Sequence, residues 1–256
     1  MHRLCRHLLA ALATLLVAAH AHAFESGRMQ IQAAGATPDA PTTTVALFYP
    51  TMAAPRTIAM GPFALDVAIG GKPVVQVKAL ILLSHGVGGT ELGHGVLAQA
   101  LARNGYLVAA LRQPGDNWQE RSLLEKGPER YFDERPRQAS RVIDAILADP
   151  AWKGRIAADG QGPRVGVLGH SAGGYTVLAL AGARPVVVPR CHAERVASKL
   201  PAANLHRVPN AWHFAFMDAP SMPLPSPDGD VAANPPGFDR GRSRSSLPSR
   251  SRPSST

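Results

Sequence analysis

Residues 164–183 read RVGVL-GHSAG-GYTVLALAGA, and this stretch decides the fold. After Arg164 its next four residues are apolar and partly β-branched, which predicts a short strand over 164–168. Residues 173–183, largely apolar, read as the helix that follows. Between them Gly169-His170-Ser171-Ala172-Gly173 fits G-x-S-x-G. In a strand–turn–helix setting this motif lifts a serine hydroxyl to the carboxyl edge of a sheet. The flanking residues must be small, because the turn brings strand and helix very close. The same glycine-rich turn would also suit a phosphate, since helix N-termini attract anions. A second loop favours the serine reading.

That loop is Ser84-His85-Gly86-Val87-Gly88-Gly89, which follows the nearly continuous apolar run at 77–84. A strand buried on both faces reads this way. An oxyanion hole on such a sheet takes one N–H from the residue after the nucleophile and one from this earlier loop, which nominates Ala172 and Val87. Outward from these motifs, strands and helices alternate. Residues 96–103 have helical spacing, 106–111 form the next strand, and 140–147 place apolar residues on one helical face. Upstream, residues 29–80 are β-rich, with strands at 42–49, ended by Pro50, and at 62–69. Alternation of this kind predicts an α/β protein with a mostly parallel, doubly wound sheet and helices on both faces.

A serine nucleophile needs a base, which on this topology follows it in the chain order Ser, acid, His. Residues 204–208 (NLHRV) predict a last short strand, and His213 lies on the loop beyond it. His213 is therefore the candidate base. His206 falls inside the strand, His192 begins a helical segment, and His85 reads as a brace for its loop rather than a base. The acid is harder to find. Glu194 is the one carboxylate between Ser171 and His213, and it falls in a helical stretch, 192–200, instead of a strand-end loop. It stands as a possible substitute acid. Asp116, before the nucleophile, suits a loop-organising role.

The ends of the chain differ from its middle. Residues 1–23 combine Arg3 and Arg6, an apolar run and Ala21-His22-Ala23, the pattern of a cleaved secretory signal. Export to the periplasm or beyond is expected, with no membrane-spanning segment after cleavage. Cys5 would leave with the signal, so Cys191 has no disulfide partner and no thiolate metal cluster is possible. The net charge is +9, but six of these charges sit at the ends: Arg3 and Arg6, and five arginines against one aspartate from Asp239 onward. The +3 left for residues 24–238 is no footprint for nucleic acid, and the Arg-rich tail lacks interleaved aromatics. Residues 219–256 are rich in Pro, Ser, Gly, Asp and Arg, which predicts a disordered tail after a domain spanning 24–218.

Several blocks, taken in order, resemble the α/β hydrolases described as predicted dienelactone hydrolases, relatives of the platelet-activating-factor acetylhydrolases. They are LFYPT (47–51), GPFALDVA (61–68), LLSHGVGG (82–89), LARNGYLVAALRQPGDN (101–117), VGVLGHSAGGYTVLALAGARP (165–185) and HRVPNAWHFAF (206–216). The resemblance implies Ser171 as nucleophile and His213 as base, and a serine mechanism of that kind is expected to take a small-molecule ester as substrate and to need no metal or organic cofactor. It also exposes two departures. Relatives carry a strand and an aspartate where Ala183-Arg184-Pro185 here runs straight into 186–189, an internal deletion near 185–190. PPGFDRG (235–241) resembles the start of their closing helix but passes into a Ser/Arg/Pro tail. The expectation is a slow serine esterase. The alternative is an inactive, truncated remnant that binds acyl ligands at most.

Overall fold

The computed structural model of the protein describes residues 24–182, 208–209, 211, 213–223, 225–226, 229–230, 233 and 236–239. Residues 1–23, read above as a signal, the junction near 185–190, Glu194 and nearly all of the strand expected at 204–208 lie outside the described residues.

Nine strands precede the elbow helix: β1 (Glu25–Ala33), β2 (Thr43–Thr51), β3 (Arg56–Met60), β4 (Phe63–Ile69), β5 (Leu80–Ser84), β6 (Leu107–Arg112), β7 (Ala158–Asp159), β8 (Gly162–Pro163) and β9 (Val165–Gly169). Seven of them form one sheet in the order β3-β4-β1-β2-β6-β5-β9. The β3–β4, β1–β2 and β2–β6 pairs are antiparallel, whereas β5 runs parallel to both β6 and β9. The parallel half is the one that matters for chemistry. It is built by two crossovers, one through α1 (Gly95–Arg103) and one through α2 (Ser122–Glu125) and α3 (Pro128–Ala148). Helix α4 (Ala172–Leu180) follows β9. The carboxyl ends of parallel strands therefore meet along one edge, where ligands bind in open α/β sheets.

Alternation along β2 explains the layers. Val45, Leu47 and Tyr49 face a core completed by Leu80, Leu107, Val142, Ile146 and Trp152, the last from the turn after α3. Ala46 and Phe48 face the opposite core, with Leu65, Val67 and the α1 residues Ala98 and Ala102. Both faces of the sheet are thus covered, which is why β2 and β6 carry almost no polar residue inside the sheet.

Local details differ from the sequence reading for physical reasons. Strand β2 continues through Pro50 to Thr51, because Pro50 sits opposite Ser26 near the strand's end, where losing one N–H is tolerated. Strand β5 begins at Leu80 rather than at Val77, which instead bridges Ile156. Beyond residue 218 the chain still touches the domain, with the Ser221 N–H and hydroxyl both donating to the Pro62 carbonyl (2.8 and 3.0 Å). Two short strands, β10 (Pro225–Ser226) and β11 (Gly229–Asp230), then pair as a hairpin within the region read as tail.

Candidate active site

Ser171 sits between β9 and α4 with φ 54° and ψ −120°, and it is the one non-glycine residue at positive φ among the described residues. Such backbone costs about 1–3 kcal/mol and persists where surrounding structure enforces it. Here glycines enforce it. A Cβ on Gly173 would lie 2.0 Å from the Ser84 carbonyl oxygen, and one on Gly169 would lie 2.1 Å from the Gly173 carbonyl oxygen. The strand-end register pairs Ser84 with Gly169, and the His170 N–H donates to Ser84 O at 3.1 Å. The elbow thereby comes to rest against the Gly86 arch, where a Cβ would approach Ser171 Cβ to 3.1 Å. Ser171 itself is exposed.

The arch is fixed by buried polar groups. Asp116, on the loop after β6, accepts the Gly88 N–H at 2.8 Å and the Tyr131 hydroxyl at 2.5 Å. It also pairs with Arg135 of α3, and neither side chain is exposed. Arg135 Nη2 donates to the His85 carbonyl at 2.5 Å. Asp116 is the loop organiser that its position in the sequence suggested. His85 is wired as a neutral ring. The Gln113 N–H can only donate, so His85 Nε2 must accept it (3.2 Å), leaving the proton on Nδ1 for the Gly86 carbonyl (2.6 Å). Burial, reinforced by the Arg135 guanidinium, pulls its pKa down to about 4. It is a brace and not a base, as expected.

Two backbone donors beside Ser171 have no hydrogen-bond partner among the described residues: the Val87 N–H on the arch and the Ala172 N–H at the first position of α4. These are the pair that the sequence nominated. Idle donors flanking a strained, exposed serine are what a developing oxyanion requires.

The structure brings the His213 segment to the same place. The His170 ring, adjacent to Ser171, donates through Nε2 to the His213 carbonyl at 2.7 Å, and the two rings lie 4.9 Å apart. Burial pulls the His170 pKa below its ordinary value. His94 Nδ1 contacts the Phe216 carbonyl at 3.2 Å, and the buried Asp218 carboxylate accepts the Val96 N–H at 2.7 Å at the start of α1. Among the described residues, no hydrogen bond joins His213 to Ser171 and no carboxylate pairs with the His213 ring. Glu194 lies outside those residues. Sequence reasoning missed Arg135, Thr176, His94 and Asp218. The one trace of Arg135 is its spacing of four from Tyr131, on the same helical stripe as Ala139 and Val142. No described group of three His, Cys, Asp or Glu could hold a metal. No described helix is long and apolar enough to cross a membrane.

No family model matches the chain, and no curated protein matches it. Among solved structures it is similar to a ferulic acid esterase from Streptomyces cinnamoneus, with a TM-score of 0.50 and 21% identity. The match covers 65% of this chain and 58% of that one. At that identity the likeness is one of fold. With the sheet and the elbow, it gives the chain the α/β-hydrolase fold.

Proposed function

We propose that the chain is a serine hydrolase that cleaves small carboxylic esters through an acyl-enzyme on Ser171. The observation that carries this reading is the strained, exposed Ser171 packed against the Gly86 arch, with the Val87 and Ala172 N–H groups unpaired among the described residues. Ser171 Oγ attacks the ester carbonyl while His213 takes its proton. The Val87 and Ala172 N–H groups hold the oxyanion, the alcohol leaves, and water releases the acyl group. The ester chemistry named for the similar esterase agrees with this, as does the resemblance of several sequence blocks to the dienelactone-hydrolase and acetylhydrolase family. The signal-like residues 1–23 support action outside the cytoplasm. Turnover is slow, because a serine hydrolase deprived of its acid loses about 10⁴ in kcat while residual catalysis persists.

A second reading rests on one observation: the His213 ring has neither Ser171 nor a carboxylate as a hydrogen-bond partner among the described residues. On that reading the fold is a remnant with a nucleophile but no working base. The deciding experiment compares native chain and Ser171→Ala for p-nitrophenyl acetate hydrolysis and fluorophosphonate labelling. Turnover and labelling that disappear in the variant support the esterase. Equal, background signals from two folded proteins support the remnant.

A further inference from the structure

One guanidinium touches both halves of the proposed oxyanion hole. Arg135 is fully buried, though it lies in the middle of a helix whose outer face is charged. Its Nη2 donates to the His85 carbonyl at 2.5 Å and to Ser84 Oγ at 3.2 Å, at the point where β5 gives way to the arch. Its Nη1 meets Asp116, whose other carboxylate oxygen accepts the Gly88 N–H at 2.8 Å. The two members of a single ion pair therefore hold the two ends of Gly86-Val87-Gly88, His85 from below and Gly88 from beyond. Val87, the donor, lies between the fixed ends.

The same side chain reaches the other donor. Arg135 Nε donates to Thr176 Oγ1 at 3.2 Å, and the Thr176 hydroxyl donates to the Ala172 carbonyl at 3.0 Å. Thr176 is fully buried, one turn along α4 from Ala172. Its bond to Ala172 braces the first turn of the helix, whose leading N–H is the second donor. Only a planar fork with several fixed N–H directions can serve these partners at once, which a lysine cannot do. Burying a charged pair is weakly stabilising at best. Stability alone is thus a poor account of a buried ion pair aimed at these two loops.

We propose that Arg135 is a positioning residue that sets the spacing between the Val87 and Ala172 donors, acting through Asp116 on one side and Thr176 on the other. The inference rests on the serine-esterase reading above. Preorganised donors act on the transition state and not on the bound ester, so their loss appears in kcat and leaves KM in place. Removing a whole oxyanion donor costs about 10²–10³-fold, so shifting one costs less, about tenfold to a hundredfold.

The test uses the full chain with Thr176→Val, which removes the link to Ala172 while leaving the ion pair intact, and Thr176→Ser, which keeps the hydroxyl. Measured are kcat and KM for p-nitrophenyl acetate, inhibition by a trifluoromethyl ketone that forms a tetrahedral adduct, and thermal stability. Thr176→Val is expected to lower kcat and ketone affinity by the same factor, about tenfold or more, with KM within about twofold of native. Thr176→Ser is expected to stay within about threefold of native on every measure. Arg135→Lys, where it folds, repeats the Thr176→Val pattern more strongly. Native kcat and ketone affinity in a folded Thr176→Val would overturn the proposal, as would a change in KM alone. Were the native chain itself to give no Ser171-dependent turnover or labelling, the esterase reading would fail first and the proposal with it.

Discussion

His85 illustrates how a single side chain ties the arch to solution conditions. Its ring has no room for a second proton, since Nε2 already faces the Gln113 N–H. The unfolded chain takes up that proton near pH 6.5, whereas the folded chain refuses it until about 4. Across that window the unfolded state binds more protons, so stability rises with pH. The contribution is complete above the unfolded value and is lost as pH falls towards the folded one. Its full size is on the order of 3 kcal/mol. Urea unfolding of the native chain and of His85→Gln between pH 4.5 and 7 tests this. The native slope should exceed the variant's by about one proton, and equal slopes would exonerate His85.

Helices and loops carry the next set of consequences. Helix α1 lacks a capping side chain of its own, and His94 at its N-cap makes no capping bond. Asp218 supplies the missing acceptor. Asp218→Ala should cost about 1 kcal/mol in denaturant titration, and it should lower turnover as well, because the same residue anchors the segment bearing His213. Asp218→Asn, which keeps an acceptor, should lose less of both. A loss of stability with turnover untouched would limit Asp218 to capping. The elements also show what the residues alone could disclose. The elbow was legible because its glycines answer a local steric demand that any chain passing that turn must meet. Helix α3 was legible only over its C-terminal part. Its buried stripe runs Tyr131, Arg135, Gln138, Ala139, Val142, Ile146, and polar groups occupy the positions where a reader looks for apolar ones. Strand β1 is obscured in the same way over its first half, where Ser26 and Arg28 are buried. Asp218 had no local signature at all, since its partner lies 122 residues earlier.

At the scale of the molecule, stability rests on the two cores that sandwich the sheet. Trp152, 1% exposed, packs its ring 5.6 Å from that of Tyr49 and closes the core on the α3 side. Trp152→Ala is expected to cost about 3–5 kcal/mol, a large part of the roughly 5–15 kcal/mol that holds a domain together. A urea midpoint within experimental error of native would show that this core is not the principal one. The overall architecture was legible from the rhythm of strands and helices, whereas the pairing of β1 between β2 and β4 was not, because register across distant strands leaves no mark on either. The long reach of Asp218 has a further meaning for a chain emerging from a ribosome. The arch, the elbow and most of the sheet are complete once residue 182 is available, yet α1 waits for its acceptor until residue 218 arrives. A nascent chain therefore sets its elbow before the segment carrying His213 arrives, and the docking of Asp218 fastens an early helix late.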